Sequence, residues 1–141
     1  MELKALNYLS LARKGGMAEL GEEPVGAAAR ALKAHLILVA ADASDHTWRR
    51  AKSFAAGTDQ QCIRLNCTKD QMGLVTGRQS LAIAAITDVQ LALAFLEALS
   101  IGQSEKYEAS LAVLRTKVER LKKRQAEAKA HQRNVRKGKK K

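Results

Sequence analysis

Leu3, Leu6, Leu9 and Leu11 recur at helical spacing ahead of Gly15-Gly16, so the chain is expected to open with a helix that stops there. A short strand over residues 17–20 should follow. Gly21-Glu22-Glu23-Pro24 has the make-up of a helix start. Two acids suit the positive end of the helix dipole, and Pro is tolerated in the first turn. Val25, Ala28, Ala29 and Leu32 then give one apolar face, to about Lys33. The unbroken apolar run over residues 35–41 is the mark of a strand buried on both faces. Asp42, Ser44 and Asp45 offer caps for a third helix over about 46–56. Gly57-Thr58-Asp59 turns the chain into a strand over 61–65, and Thr68 can cap a short helix reaching Val75 before Thr76-Gly77. Residues 81–86 make a second buried strand, and Asp88 caps a helix over about 89–99. This alternation predicts an α/β fold, a central sheet between helical layers.

The pattern changes after Gly102. Tyr107, Leu111, Leu114, Val118 and Leu121 step by four and three, a heptad seam of about two heptads. Two readings stand side by side. The helix folds back on the sandwich, or the seam pairs with a partner helix or a second copy as a protein-interaction or dimerisation module. Beyond Leu121 no apolar stripe survives, and a frayed helix or a disordered arm is expected. The implied division is a sandwich domain over 1–101, an amphipathic helix over 102–124 and a basic, disordered tail over 125–141.

Charge sharpens this division. Up to Leu114 there are 12 Lys and Arg against 12 Asp and Glu. From Arg115 onward there are 13 against two, a surplus equal to the net +11 of the whole chain. A neutral body with a dense cationic end is expected of a domain with a polyanion-binding arm. Lys122, Lys123, Arg124, Arg133, Arg136 and Lys137 are its candidate contacts to such a polyanion, a nucleic acid included.

Other chemistry is sparse. Cys62 and Cys67 are too few for a disulfide framework, and they lack the second ligand pair of a zinc site. His35, His46 and His131 stand at no metal-ligand spacing to them. No secretory leader is legible before the first helix, and Asp88 and Glu97 interrupt the longest apolar region. With no Gly-rich phosphate loop and no nucleophile beside a base, neither an enzyme nor a cofactor or metal is expected. A soluble cytoplasmic protein is.

Four pieces carry a family resemblance: Gly21-Glu22-Glu23, the strand running into Asp42-Ala43-Ser44, Met72-Gly73 with Gly77, and Ala85-Ile86-Thr87-Asp88. In order and spacing they resemble the kink-turn-binding ribosomal protein family, the L-seven-Ae type, and within it the bacterial YlxQ-like branch. The likeness covers about residues 6–99 and leaves out the tail. It implies a three-layer α-β-α sandwich with a four-stranded mixed sheet. It also implies an RNA site at the start of the second helix and on the loop into the last strand. Carried onto this chain, the site residues are Gly21, Glu22, Glu23 and Ala27, with Gly77, Arg78 and Gln79 on the loop. The partners implied are ribosomal or other structured RNA and, with it, the ribosome. The chain departs from the family's motif: Glu23 stands in place of Asn, Pro24 in place of Glu, and Ala27 in place of Lys. A base-reading amide and a phosphate-neutralising ammonium are therefore missing.

Overall fold

Two apolar runs, Leu36–Val39 and Ile83–Ile86, lie side by side and are buried at every position. They form the centre of a four-stranded sheet because only strands apolar on both faces can be covered on both. The computed structural model describes the backbone of residues 2–139 and the side chains of residues 4–132. The elements run α1 (Glu2–Lys14), β1 (Ala18–Leu20), α2 (Glu22–Arg30), β2 (Leu36–Val39), α3 (Asp45–Ala55), β3 (Gln61–Arg64), α4 (Lys69–Thr76), β4 (Ile83–Ile86), α5 (Val89–Leu99) and α6 (Ser104–Lys139). The sheet order is β1-β4-β2-β3. β4 pairs antiparallel with both β1 and β2, and β2 pairs parallel with β3.

Helices cover both sides of the sheet. One group packs α1 against α4 and α5, with α6 on α5; the other pairs α2 with α3. Phe95, Leu6, Leu9, Leu96 and Leu99 are fully buried. Each such side chain contributes roughly 1.5–3 kcal/mol by leaving water. The α1 stripe is Ala5, Leu6, Leu9 and Ala12, whereas Leu11 is 55 % exposed. The first helix therefore buries a narrower face than its leucines alone predict.

The caps fall largely where they were expected. The Thr47 N–H donates to Ser44 Oγ at 3.1 Å and the Leu91 N–H to Asp88 Oδ2 at 2.9 Å. Thr68 and Gln71 form a reciprocal capping box on α4. Asp42 does something else. Its Oδ1 accepts from the Lys69 N–H at 2.8 Å, so it caps α4, 27 residues on, and not α3. Buried Gln60 accepts from the Ala34 N–H and donates to the Ala29 carbonyl, satisfying two backbone groups below α2. α2 stops at Arg30, short of Lys33, because Leu32 takes φ 59° and turns the chain.

Two expectations for the C-terminal region need correction. Tyr107, Leu111, Leu114 and Val118 are all buried in the same core as the sandwich, on α5. The heptad seam is thus used within the chain and is not free to pair with a partner. Nor does helix give way to a disordered tail near residue 125, since α6 runs unbroken to Lys139. Ala126, Ala128 and Ala130, set among Lys, Arg, Gln and Glu, are strong helix formers. The packed half of α6 supplies the nucleus that an isolated helix would lack.

Candidate nucleic-acid interface

The start of α2 is held by backbone. Gly21 takes φ 98°, a conformation that L side chains avoid, and its N–H donates to the Ile83 carbonyl at 3.0 Å. This bond seats the first turn of α2 at the amino end of β4. Gly21 offers no side-chain cap, so no side chain of the N-cap satisfies the N–H groups of the first turn. The loop into β4 arrives at the same place. Arg78 Nη1 lies 3.7 Å from where a Cβ on Gly21 would stand. Gly77 closes α4 in the left-handed conformation, and the Arg13 guanidinium sits 3.2 Å from its own would-be Cβ. The structure therefore joins Gly21, Gly77 and Arg78 at one end of the sandwich and adds Arg13, from the last turn of α1.

The acids at this end are not alike. Glu22 Oε1 is 2.6 Å from Arg50 Nε and 3.9 Å from His46 Nε2. The repulsion a phosphate would meet at Glu22 is offset by a guanidinium from α3, which itself lies over the Phe54 ring at 5.3 Å. Glu23 is exposed and, among the described residues, has no ion pair. Beside them an open groove of about 520 Å³ is lined by Glu22, Glu23, Pro24, Gly26, Ala27, Arg30 and Arg50. Ala27 is exposed in it, and Arg30 follows one turn later. The Arg30 guanidinium folds back to 3.4 Å from the would-be Cβ of Gly26. Arg13, Arg30 and Arg50 were missed in the sequence. Arg30 carries a local signal, three residues from Ala27 on a helix; Arg13 and Arg50 arrive from other elements and carry none.

Gln79 is exposed on the loop that follows Arg78. The tail residues are elsewhere. Lys122, Lys123 and Arg124 are exposed on α6, and Lys122 shares a groove with Val118 and Gln90 at the start of α5. The side chains of Arg133, Arg136 and Lys137 lie outside the described residues.

A second groove of about 520 Å³ follows the outer edge of β3 between Trp48 and Tyr107. Arg64 lies over the Trp48 ring and donates to the carbonyls of Ala41 and Ala43, which holds the β2–α3 loop. Both cysteines are free. Burial pushes the Cys62 thiol up to about 12, despite Lys52 nearby, so it is protonated at neutral pH. Among the described residues no helix is long and apolar enough to cross a membrane.

A mixed four-stranded sheet with helices on both faces is the fold that the family resemblance implied. No protein-family model matches the chain, and no curated protein matches it. Solved structures do. One is a protein of unknown function from Bacillus halodurans, 18 % identical, with a TM-score of 0.64 over 69 % of this chain and 97 % of that one. Another is the Giardia lamblia 15.5 kD RNA-binding protein, 14 % identical, with a TM-score of 0.59 over 72 % of this chain and 90 % of that one. At such identities the likeness is one of fold.

Proposed function

We propose that the protein binds structured RNA at the end of the sandwich where the start of α2 meets Arg78, with Arg13 against the neighbouring Gly77. One observation carries this reading. An uncapped helix start, which favours anions, has the Arg78 guanidinium beside it, and Arg13 follows against the adjoining Gly77. Phosphate would meet the backbone N–H groups and the guanidinium groups together. Splayed bases would meet Glu23, Gln79 and the groove along Ala27, as RNA is usually read at irregular places. The Giardia protein of the same fold, named as RNA-binding, adds support.

The finer reading is a YlxQ-like protein working with ribosomal or other structured RNA of the translation machinery in the cytoplasm, without catalysis. Its site differs from a standard kink-turn binder at Glu23, Pro24 and Ala27. Arg30 stands in for the missing ammonium one turn on. The competing reading, dimerisation through the heptad seam, loses its surface because the seam is buried.

The test replaces Arg13 and Arg78 with Ala, both on exposed side chains. Affinity for structured RNA recovered by crosslinking from cells is expected to fall about tenfold or more. The log–log salt slope should shrink by roughly one for each phosphate that is no longer neutralised. Unchanged affinity and slope would sink the assignment of this end.

A further inference from the structure

The cationic arm leaves the molecule from the end opposite the candidate RNA site. α5 starts at the carboxyl end of β4, while Arg78 and Gly21 sit at its amino end. α6 then runs back along α5. Arg115 pairs with Glu97 at 3.8 Å near the end of α5, and Val118 and Lys122 reach Gln90 at its start. A second line agrees. Lys117 Nζ is 3.1 Å from Asp59 and 3.3 Å from His35 Nδ1, residues that precede β3 and β2. Leu36 at the start of β2 pairs with Ile86, at the carboxyl end of β4. Past Lys122 the helix continues for 17 residues to Lys139, roughly 25 Å at 1.5 Å per residue.

Among the described side chains, this projecting length is exposed throughout and has no apolar stripe. Lys122, Lys123, Arg124 and Lys129 face solvent against one acid, Glu127. With no apolar stripe among the described side chains there is little to drive docking of a partner helix, and the charge suits a polyanion. With β4 about 14 Å long, the tip stands on the order of 40 Å from Arg78. A small RNA fold held at the Gly21–Arg78 end does not reach it.

Resting on the RNA reading above, we infer that the protein holds RNA at two poles. The α2 start takes a structured element, and the α6 arm lies across the phosphates of a separate duplex segment, so that the protein bridges the two. The arm binds without sequence preference, because the deep groove of A-form RNA is closed to side chains and its phosphates are not.

Two unlinked RNA hairpins, one bearing a donor dye and the other an acceptor, test this with the full chain. One is a structured hairpin recovered by crosslinking, the other a plain duplex hairpin. The full chain is expected to bring them together and give energy transfer. The full chain with Lys122, Lys123, Arg124, Lys129, Arg133, Arg136 and Lys137 all changed to Gln should keep binding the structured hairpin within about threefold and lose the transfer. R13A/R78A should keep the plain duplex and also lose the transfer. Transfer that survives the arm changes overturns the bridge while leaving RNA binding at the α2 end intact. So does transfer abolished as readily by polyglutamate as by unlabelled duplex at equal charge, which would mark the arm as a site for acidic protein. If the full chain binds neither hairpin, the RNA reading and the bridge fall together.

Discussion

Gly73 shows how one residue sets the candidate site. A Cβ there would stand 2.6 Å from the Arg78 carbonyl oxygen, 2.9 Å from the Ser80 nitrogen and 3.0 Å from the Gln79 carbonyl carbon. All three are backbone atoms, so no side chain can swing aside; the loop itself must move. Gly73→Ala is expected to destabilise the fold by about 1–3 kcal/mol, as overpacking does, read by urea denaturation. Because the displaced segment carries Arg78, RNA affinity should fall even where the variant remains fully folded. An affinity equal to that of the parent would show that the loop position does not matter. Gly21, Gly77 and Arg78 are legible only through a family resemblance. Arg13 and Arg50 are not, since pairing across elements has no local pattern. Asp42 is the same lesson: a cap for the next helix is legible, a cap 27 residues away is not.

Among the elements, α1 to α5 were legible within one to three residues because burial and capping both leave local marks. Strands covered on both faces read as apolar runs, and Ser44, Thr68 and Asp88 mark helix starts. The extent of α6 was not legible. Its exposed half is helical through intrinsic propensity and continuity with the packed half, so the loss of an apolar stripe looks like the loss of structure. What fastens α6 to the sheet is open to a pH test. His35 is half-buried against Lys117, with Asp59 and Asp88 also acting on it. Burial first, then the Lys117 ammonium, lower its pKa below the ordinary 6.5, and the two carboxylates only partly oppose them. Between its folded value and 6.5 the unfolded chain takes up a proton that the folded chain does not. Stability from this residue is therefore present above about 6.5 and is lost as pH falls through the folded value. Urea denaturation at about pH 7.5 and about pH 5.5 should show a larger acid loss for the parent than for His35→Gln. Equal losses would show that another group controls the acid side.

Across the whole molecule, the boundary of charge and the boundary of packing differ. Charge neutrality ends at Leu114, but Leu114 and Val118 are core residues, and Leu121 packs against them. Cutting at Leu114 would remove Val118 and strip cover from α5, at a cost of roughly 1.5–3 kcal/mol for that side chain alone. Such a truncation confuses folding with binding. Cutting after Leu121 does not, because residues 122–132 are all exposed. It removes ten Lys and Arg and one Glu, which lowers the net charge from +11 to +2. The shortened chain is expected to melt within a few degrees of the full one. Its binding to long duplex RNA should become much less salt-sensitive. If about five arm cations meet phosphates, the log–log slope loses on the order of 4. On a short structured hairpin the slope should change little, because that RNA occupies the pole opposite the arm. A melting point that drops by tens of degrees would mean that the projecting helix supports the core. An equal loss of slope on short and long RNA would mean that the arm reaches the α2 end after all. Stability and RNA affinity are thus separable along this chain, and the dividing point is Leu121, where the last apolar side chain of the seam meets the core.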